Sequence, residues 1–226
     1  MGLRFFFGQS PALRYNKSMR ILILSLFFAV PALAANVVSE TVGQVGDYVI
    51  TSREVQITTV IDHILFPPKD KKSTALMETG PESKEFRNHV TAVLLEAVVA
   101  MEAATFNVGT ASVAELDEAI VKVERTASGK TYWNQLQPTA AEVKRFTDRK
   151  LVAKSFMKFK TGSMAGIVSN VDAYEYYQKN RSKFGSTPFA EIRDSIKTFL
   201  GQQQLEERLR AWFELMKRKY KVRNFI

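Results

Sequence analysis

The sequence predicts a mostly α-helical protein, a helical core closed by a long C-terminal helix, with a small β-element joining its two ends. Two observations predict this fold class. Apolar residues recur at helical spacing from residue 53 to residue 220, in segments that begin at capping signatures. The clearest strand-like segments, residues 45–50 and 222–226, lie at opposite ends of that helical region. Because a short strand needs a hydrogen-bonding partner, we expect these segments to pair.

The composition is that of a globular protein. The chain has 226 residues, of which 46% are hydrophobic, with Lys+Arg 32 against Asp+Glu 23 and no Cys. This apolar content supports a sizeable core and argues against disorder. The absence of Cys excludes disulfides, thiolate metal sites and a cysteine nucleophile.

The first 34 residues have the pattern of an export signal. They contain no acidic residue, and an apolar run at residues 21–30 precedes the small-x-small sequence Ala32-Leu33-Ala34. We expect cleavage after Ala34, with Met19 as an alternative start. A retained anchor helix is disfavoured, because the apolar run is shorter than the span of about 20 residues that a bilayer requires. Export also disfavours nucleic acid as a partner.

The mature chain begins with strand-like sequence and then becomes helical. Residues 37–50 are rich in β-branched side chains and are interrupted by glycines, which predicts one or two short strands with a tight turn. Thr51 and Glu54 have the spacing of a capping box at a helix start. Helical apolar spacing then continues as far as the prolines that begin at Pro67.

The middle of the chain predicts four further helices. Residues 67–82 form a polar connection that is longer than most loops in compact domains. Ser83 caps a long helix that we expect deep in the core. Ser112 and Thr139 each begin a capping box, and a short helix at residues 132–136 lies between the two helices that they open.

The C-terminal part predicts two main helices and a strand. Ser169 caps a helix that carries three tyrosines. Thr187 is expected to cap the final and longest helix, with Pro188 as its first helical residue. Gly201 predicts a bend within that helix, and residues 221–226 predict a closing strand.

The sequence contains no recognisable catalytic constellation. Gly129-Lys130-Thr131 is similar to the end of a phosphate-binding loop, but Glu124 stands where that loop needs glycine. His63 and His89, the only histidines, lie on separate predicted helices without a second His at helical spacing. We therefore predict that the protein is not an enzyme and uses no metal or cofactor.

One predicted helix, at residues 144–160, is strongly basic. It carries one acid, Asp148, and the seven cations Lys144, Arg145, Arg149, Lys150, Lys154, Lys158 and Lys160. The favoured interpretation is a helix with an apolar side toward the core and a solvated basic back. The functional alternatives are contact with an anionic membrane surface or with an acidic partner.

Four segments in order resemble the SurA-type periplasmic chaperones. These are residues 42–55 (VGQVGDYVITSREV), residues 94–97 leading to 108–115, residues 168–180 (VSNVDAYEYYQKN) and residues 188–193 (PFAEIR). These segments span nearly the whole of residues 35–226. The resemblance therefore implies that residues 35–226 form a single chaperone domain. It implies a periplasmic location and a groove for unfolded outer-membrane or secreted polypeptides.

The chain departs from that family at one place. Members with prolyl isomerase activity carry a parvulin domain between the tyrosine helix and the Pro-Phe helix, whereas here only Gly185-Ser186 separates Phe184 from Thr187. No isomerase domain fits in two residues. The resemblance therefore implies the chaperone core alone, with none of the family's catalytic positions.

A chaperone groove would need accessible apolar and adaptable side chains. Candidates outside the deepest helical stripes are Phe66, Met77, Trp133, Phe156, Phe159, Met164, Tyr174 and Tyr177. For each of them singly, a place in the core is the favoured alternative. Two functions stay open: a general holdase for unfolded exported chains, and an adaptor with one fixed partner in an envelope complex. A homodimer formed by exchanged helices also stays open.

Overall fold

The structure is a computed structural model that describes residues 39–67 and 80–226. Met77 and the export signal predicted at residues 1–34 lie outside these described residues. Within them the chain is mostly helical, with one three-stranded antiparallel sheet. The predicted fold class is confirmed.

Eight helices and three strands follow in chain order within the described part. The strands are β1 (Thr41–Val45), β2 (Tyr48–Thr51) and β3 (Arg223–Asn224). The helices are α1 (Ser52–Leu65), α2 (Lys84–Phe106), α3 (Val113–Ala127), α4 (Thr131–Leu136), α5 (Ala140–Met164), α6 (Asn170–Lys179), α7 (Arg181–Phe184) and α8 (Phe189–Lys219).

The sheet joins the two ends of the described chain. β1 is its central strand, with β2 on one side and β3 on the other, and Gly43 is paired with Asn224. The expected joining of the ends is confirmed, but the partner of β3 is β1 and not residues 45–50. The reason is the hairpin turn at Gly46, which has φ 57° and donates its amide to the Tyr220 carbonyl at 2.7 Å.

Buried apolar residues form three clusters. The first joins the sheet, α2, α5 and the end of α8 around residues such as Val45, Phe156 and Trp212. The second lies between α1, α3, α4 and the start of α5, and the third lies between α6 and α8. Glycine at position 43 lets β1 approach its neighbours closely, because a Cβ there would lie 2.9 Å from a methyl carbon of Leu94 and 3.0 Å from the Arg223 carbonyl oxygen, so that a larger residue would force a shift.

Local capping residues set most helix starts. Thr139 and Ser169 form complete capping boxes, and Ser83 and Ser112 each cap with their hydroxyl. The complete box predicted at Ser112 is therefore wrong, because only the bond from the Glu115 amide to its hydroxyl forms. The predicted start of α8 is wrong by one residue. Pro188 has ψ 148° and is the cap itself, so the helix begins at Phe189.

The helix α2 is long and apolar enough to cross a membrane, and within the described ranges it alone has that property. Half of its most apolar stretch is buried inside the protein. Its acidic residues Glu96 and Glu102 form ion pairs with α5 and α8. The helix therefore has the packing of a core helix.

Candidate functional site

An apolar groove lies where α2 and α5 meet the end of α1 and the last turns of α8. Its volume is about 360 Å³. Its apolar lining comprises Phe66, Ala92, Leu95, Val99, Ala153, Met157 and Phe213, and its charged lining comprises Asp62, Glu96, Lys150 and Lys154. The groove can accept an apolar side chain and offers both signs of charge beside it.

An aromatic ring and a cation form one edge of this groove. Phe66 follows the last residue of α1, where its amide donates to the Asp62 carbonyl at 2.8 Å. The Lys154 ammonium lies 3.1 Å from the centre of the Phe66 ring. This cation–π contact joins α5 to the end of α1 and covers part of the ring.

A buried ion network lies beside the charged lining. The Arg149 guanidinium is 2.6 Å from the Glu54 carboxylate and 2.9 Å from that of Glu96. Burial alone would lower the pKa of Arg149, but these two carboxylates outweigh it and raise that pKa above its ordinary value. Burial also raises the pKa of Tyr48, whose hydroxyl donates to Glu54, to about 12.

Two of the seven predicted basic residues therefore point inward. Arg149 belongs to the buried network, and Lys150 pairs with Glu96 and with Asp62. The side chain of Arg149 is 11% exposed and that of Lys150 is 15% exposed. The expectation that all seven cations face solvent is therefore wrong for these two. They turn inward because α1 and α2 supply buried carboxylates opposite them.

The other five cations of α5 surround its outer side. Lys144, Arg145, Lys154 and Lys158 are exposed, and Lys160 is half-buried. Arg145 lies over the Phe146 ring at 4.8 Å, and Lys160 lies over the Trp212 ring at 5.4 Å. The basic surface of α5 is thus smaller than its sequence suggests.

The predicted client-binding residues do not form one surface. Trp133, Phe156 and Tyr177 are 8%, 1% and 5% exposed, and each belongs to a different buried cluster. Phe66 and Met164 are half-buried. Phe159 and Tyr174 are 52% and 48% exposed. Of the candidates that the structure describes, Phe66 alone lines the groove.

The histidines come closer together than their sequence positions suggest. The rings of His63 on α1 and His89 on α2 are 6.4 Å apart, edge to face. The Nε2 atom of His89 is buried without a hydrogen-bond partner. Burial, and then the neighbouring His63, lower the pKa of His89. In residues 39–67 and 80–226 no group of three or more His, Asp or Glu residues could hold a metal ion.

No protein-family model, curated protein or solved structure matches this chain. The site must therefore be interpreted from its own chemistry.

The groove residues that sequence reasoning missed include the four larger apolar ones, Leu95, Val99, Met157 and Phe213. All four follow the helical apolar spacing of α2, α5 or α8, which predicts a helix side but not whether a partner covers it. The one available signal was the combination of Met157 with small and aliphatic residues, since Met is common at adaptable binding surfaces.

Proposed function

We propose that the protein is a non-enzymatic chaperone that holds unfolded exported polypeptides in the periplasm. The observation that carries this proposal is the apolar groove between α2 and α5, with Met157 and Phe213 in its lining. An unfolded chain presents isolated apolar side chains, and a groove of about 360 Å³ accommodates one such side chain at a time. Contact at single side chains gives modest affinity, which allows clients to leave.

The charged lining adds to this argument. Lys154 and Asp62, which both line the groove, offer opposite charges to polar groups that flank the bound apolar residue. Such a mixed edge suits many client sequences, because neither sign of charge is excluded. The resemblance to SurA-type chaperones and the predicted export signal support the periplasmic location.

The second candidate function is an adaptor with one fixed partner. The exposed aromatic residues of the α6–α8 region favour it, since Tyr174 and Phe199 are 48% and 51% exposed. Exposed aromatic residues on a stable surface are common at protein interfaces. An adaptor would bind one protein stoichiometrically and ignore unfolded chains in general.

Aggregation of an unfolded outer-membrane protein, followed by light scattering without ATP, tests the chaperone proposal. We expect residues 35–226 to reduce scattering. Ala92→Phe fills the groove from an exposed position of α2 and should weaken this effect, whereas Ala104→Phe, at an exposed position of the same helix outside the groove lining, should not. Unchanged scattering at several-fold molar excess of the wild-type protein would favour the adaptor. If the two variants reduced scattering equally, the groove would not be the client-binding site.

A further inference from the structure

Two exposed phenylalanines outside the groove lining pack on the same buried ring. Phe106 ends α2 and Phe159 lies on α5, and they are 57% and 52% exposed. Both rings pack on Phe156, at centroid distances of 6.1 and 6.2 Å. Phe156 is 1% exposed and rests in turn on Trp212. We call Phe106 and Phe159 the aromatic wedge.

The backbone holds the wedge in place. Asn107 ends α2 in the left-handed conformation, with φ 51°, and its amide donates to carbonyls of the last turn. Gly109, with φ 88°, then passes so close to α5 that a Cβ would lie 3.1 Å from the Val152 carbonyl oxygen. The end of α2 is therefore fixed against α5, and the exposure of Phe106 is a property of the folded domain.

Cations surround the wedge, and the nearby acid is already neutralised. Lys158 and Lys160 flank Phe159 in sequence. Lys158 is exposed and forms no ion pair with any described residue, whereas Lys160 is half-buried over the Trp212 ring and close enough to Glu102 to lower the pKa of that carboxyl. Glu102, one turn before Phe106, accepts hydrogen bonds from Lys219 and Tyr220 at 2.5 and 2.6 Å. Burial alone would raise the pKa of Glu102, but these bonds outweigh it and lower that pKa. The carboxylate therefore stays ionised and bound internally.

We propose that the aromatic wedge is a membrane-contact site that binds the surface of an anionic phospholipid bilayer. Exposed aromatic rings enter the boundary between headgroups and acyl chains, and neighbouring lysines contact lipid phosphates. The charge selects this occupant, because the exposed Lys158 forms no ion pair with any described residue and residues 35–226 keep 28 basic against 23 acidic side chains, a formal net charge of +5. The site is independent of the proposed chaperone function.

The absence of Cys from the chain allows a local test with the full-length protein. Ser163→Cys, one turn beyond Phe159, carries a polarity-sensitive fluorophore beside the wedge, and Thr126→Cys on α3 carries the same fluorophore as control. Both positions are exposed. With phosphatidylglycerol–phosphatidylcholine vesicles we expect a blue shift at residue 163 only, weakening as salt is raised. Pure phosphatidylcholine vesicles should produce none. A response at both positions, or at neither, would overturn the proposal.

Substitutions in the wedge give the second half of the test. Lys158→Gln with Lys160→Gln should weaken vesicle binding roughly thirtyfold, which corresponds to about 1 kcal/mol for each lysine. Lys122→Gln with Lys130→Gln, at exposed positions on and after α3, is the matched control and should change it little. Phe106→Ala and Phe159→Ala should abolish the blue shift while the protein still unfolds cooperatively, with a melting midpoint lowered slightly by the lost ring contacts with Phe156. If the fluorophore at residue 163 responds to polyglutamate but not to vesicles, the aromatic wedge binds an acidic protein and the membrane proposal is wrong.

Discussion

The Arg149 guanidinium lies 2.6 Å from the Glu54 carboxylate and so connects α5 to α1 across 95 residues of sequence. Its Nε atom also donates to Glu96 at 2.9 Å, which brings α2 into the same network. The side chains of Glu54 and Glu96 are 8% and 7% exposed. One arginine thus neutralises two buried carboxylates from two other helices.

Arg149→Ala should therefore destabilise the protein strongly. The change removes the cation paired with Glu54 and leaves Glu96 with Lys150 alone. Breaking a buried ion pair by removing one partner costs about 3–5 kcal/mol. Urea unfolding measures the loss, and Lys144→Ala, at an exposed position of the same helix, should cost no more than about 0.5 kcal/mol. Equal losses in the two variants would contradict a stabilising role for the network.

Deletion of residues 221–226 should lower the stability of the whole domain. It removes β3, and with it the bond from the Phe225 amide to the Val42 carbonyl at 3.0 Å. Unpaired backbone groups on β1 would then weaken the first buried cluster. We expect one cooperative transition with a loss above about 0.5 kcal/mol. Deleting Ile226 alone leaves the β1–β3 pairing in place and is the control. An unchanged melting midpoint after the longer deletion would show that the pairing contributes nothing.

The pair of Arg53 and Glu142 predicts a loss of stability in acid. Hydrogen bonds from Arg53 lower the pKa of Glu142 from 4.5 to about 2. The folded state thus holds the ionised form, so this contribution is complete above pH 4.5 and is lost as the pH falls toward 2. Glu142→Gln should flatten the pH dependence of unfolding in this window by about 1 kcal/mol, allowing for solvent screening. Glu118→Gln, at an exposed site on α3, should leave the pH dependence unchanged.

His89 predicts a second pH dependence, closer to neutrality. Burial, then the charge of His63 and of Lys150, lower its pKa below 6.5, while Asp62 and Glu85 oppose this. The folded state thus favours the neutral imidazole, so stability is complete above pH 6.5 and falls as the pH drops below it. His89→Leu cannot take up the proton, and its unfolding midpoint should vary less over this range. A slope equal to that of the wild type would exclude His89 as the titrating group.

The connection between α7 and α8 predicts that the protein has no prolyl isomerase activity. Phe184 and Thr187 are joined by a turn in which the Thr187 amide donates to the Phe184 carbonyl at 3.0 Å. The parvulin domain of the SurA-type chaperones, which the sequence resembles, would have to be inserted at this turn. A proline-limited peptide assay should show only the uncatalysed rate. Acceleration that increases with protein concentration and survives repurification would contradict this prediction.

Most helix starts were predictable because their causes are local. The Thr139 hydroxyl accepts from the Glu142 amide three residues later, and the Glu142 carboxylate accepts from the Thr139 amide in return. Such bonds form within one turn, so the sequence alone specifies them. At Thr51 the same spacing predicts a complete box, and this prediction is wrong, because only the bond from the Glu54 amide to the Thr51 hydroxyl forms. The Glu54 carboxylate there binds Tyr48 and Arg149 instead.

The sequence by itself determined the mostly helical class, the main helices and the meeting of the two chain ends. These follow from apolar periodicity and from the need of short strands for partners. Only the tertiary structure decided that Lys150 turns inward while Lys144 on the same helix stays in water. The two side chains have the same chemistry and similar neighbours in sequence. What separates them is Glu96, a buried carboxylate on another helix, because a charge leaves water only where a distant part of the chain supplies its partner.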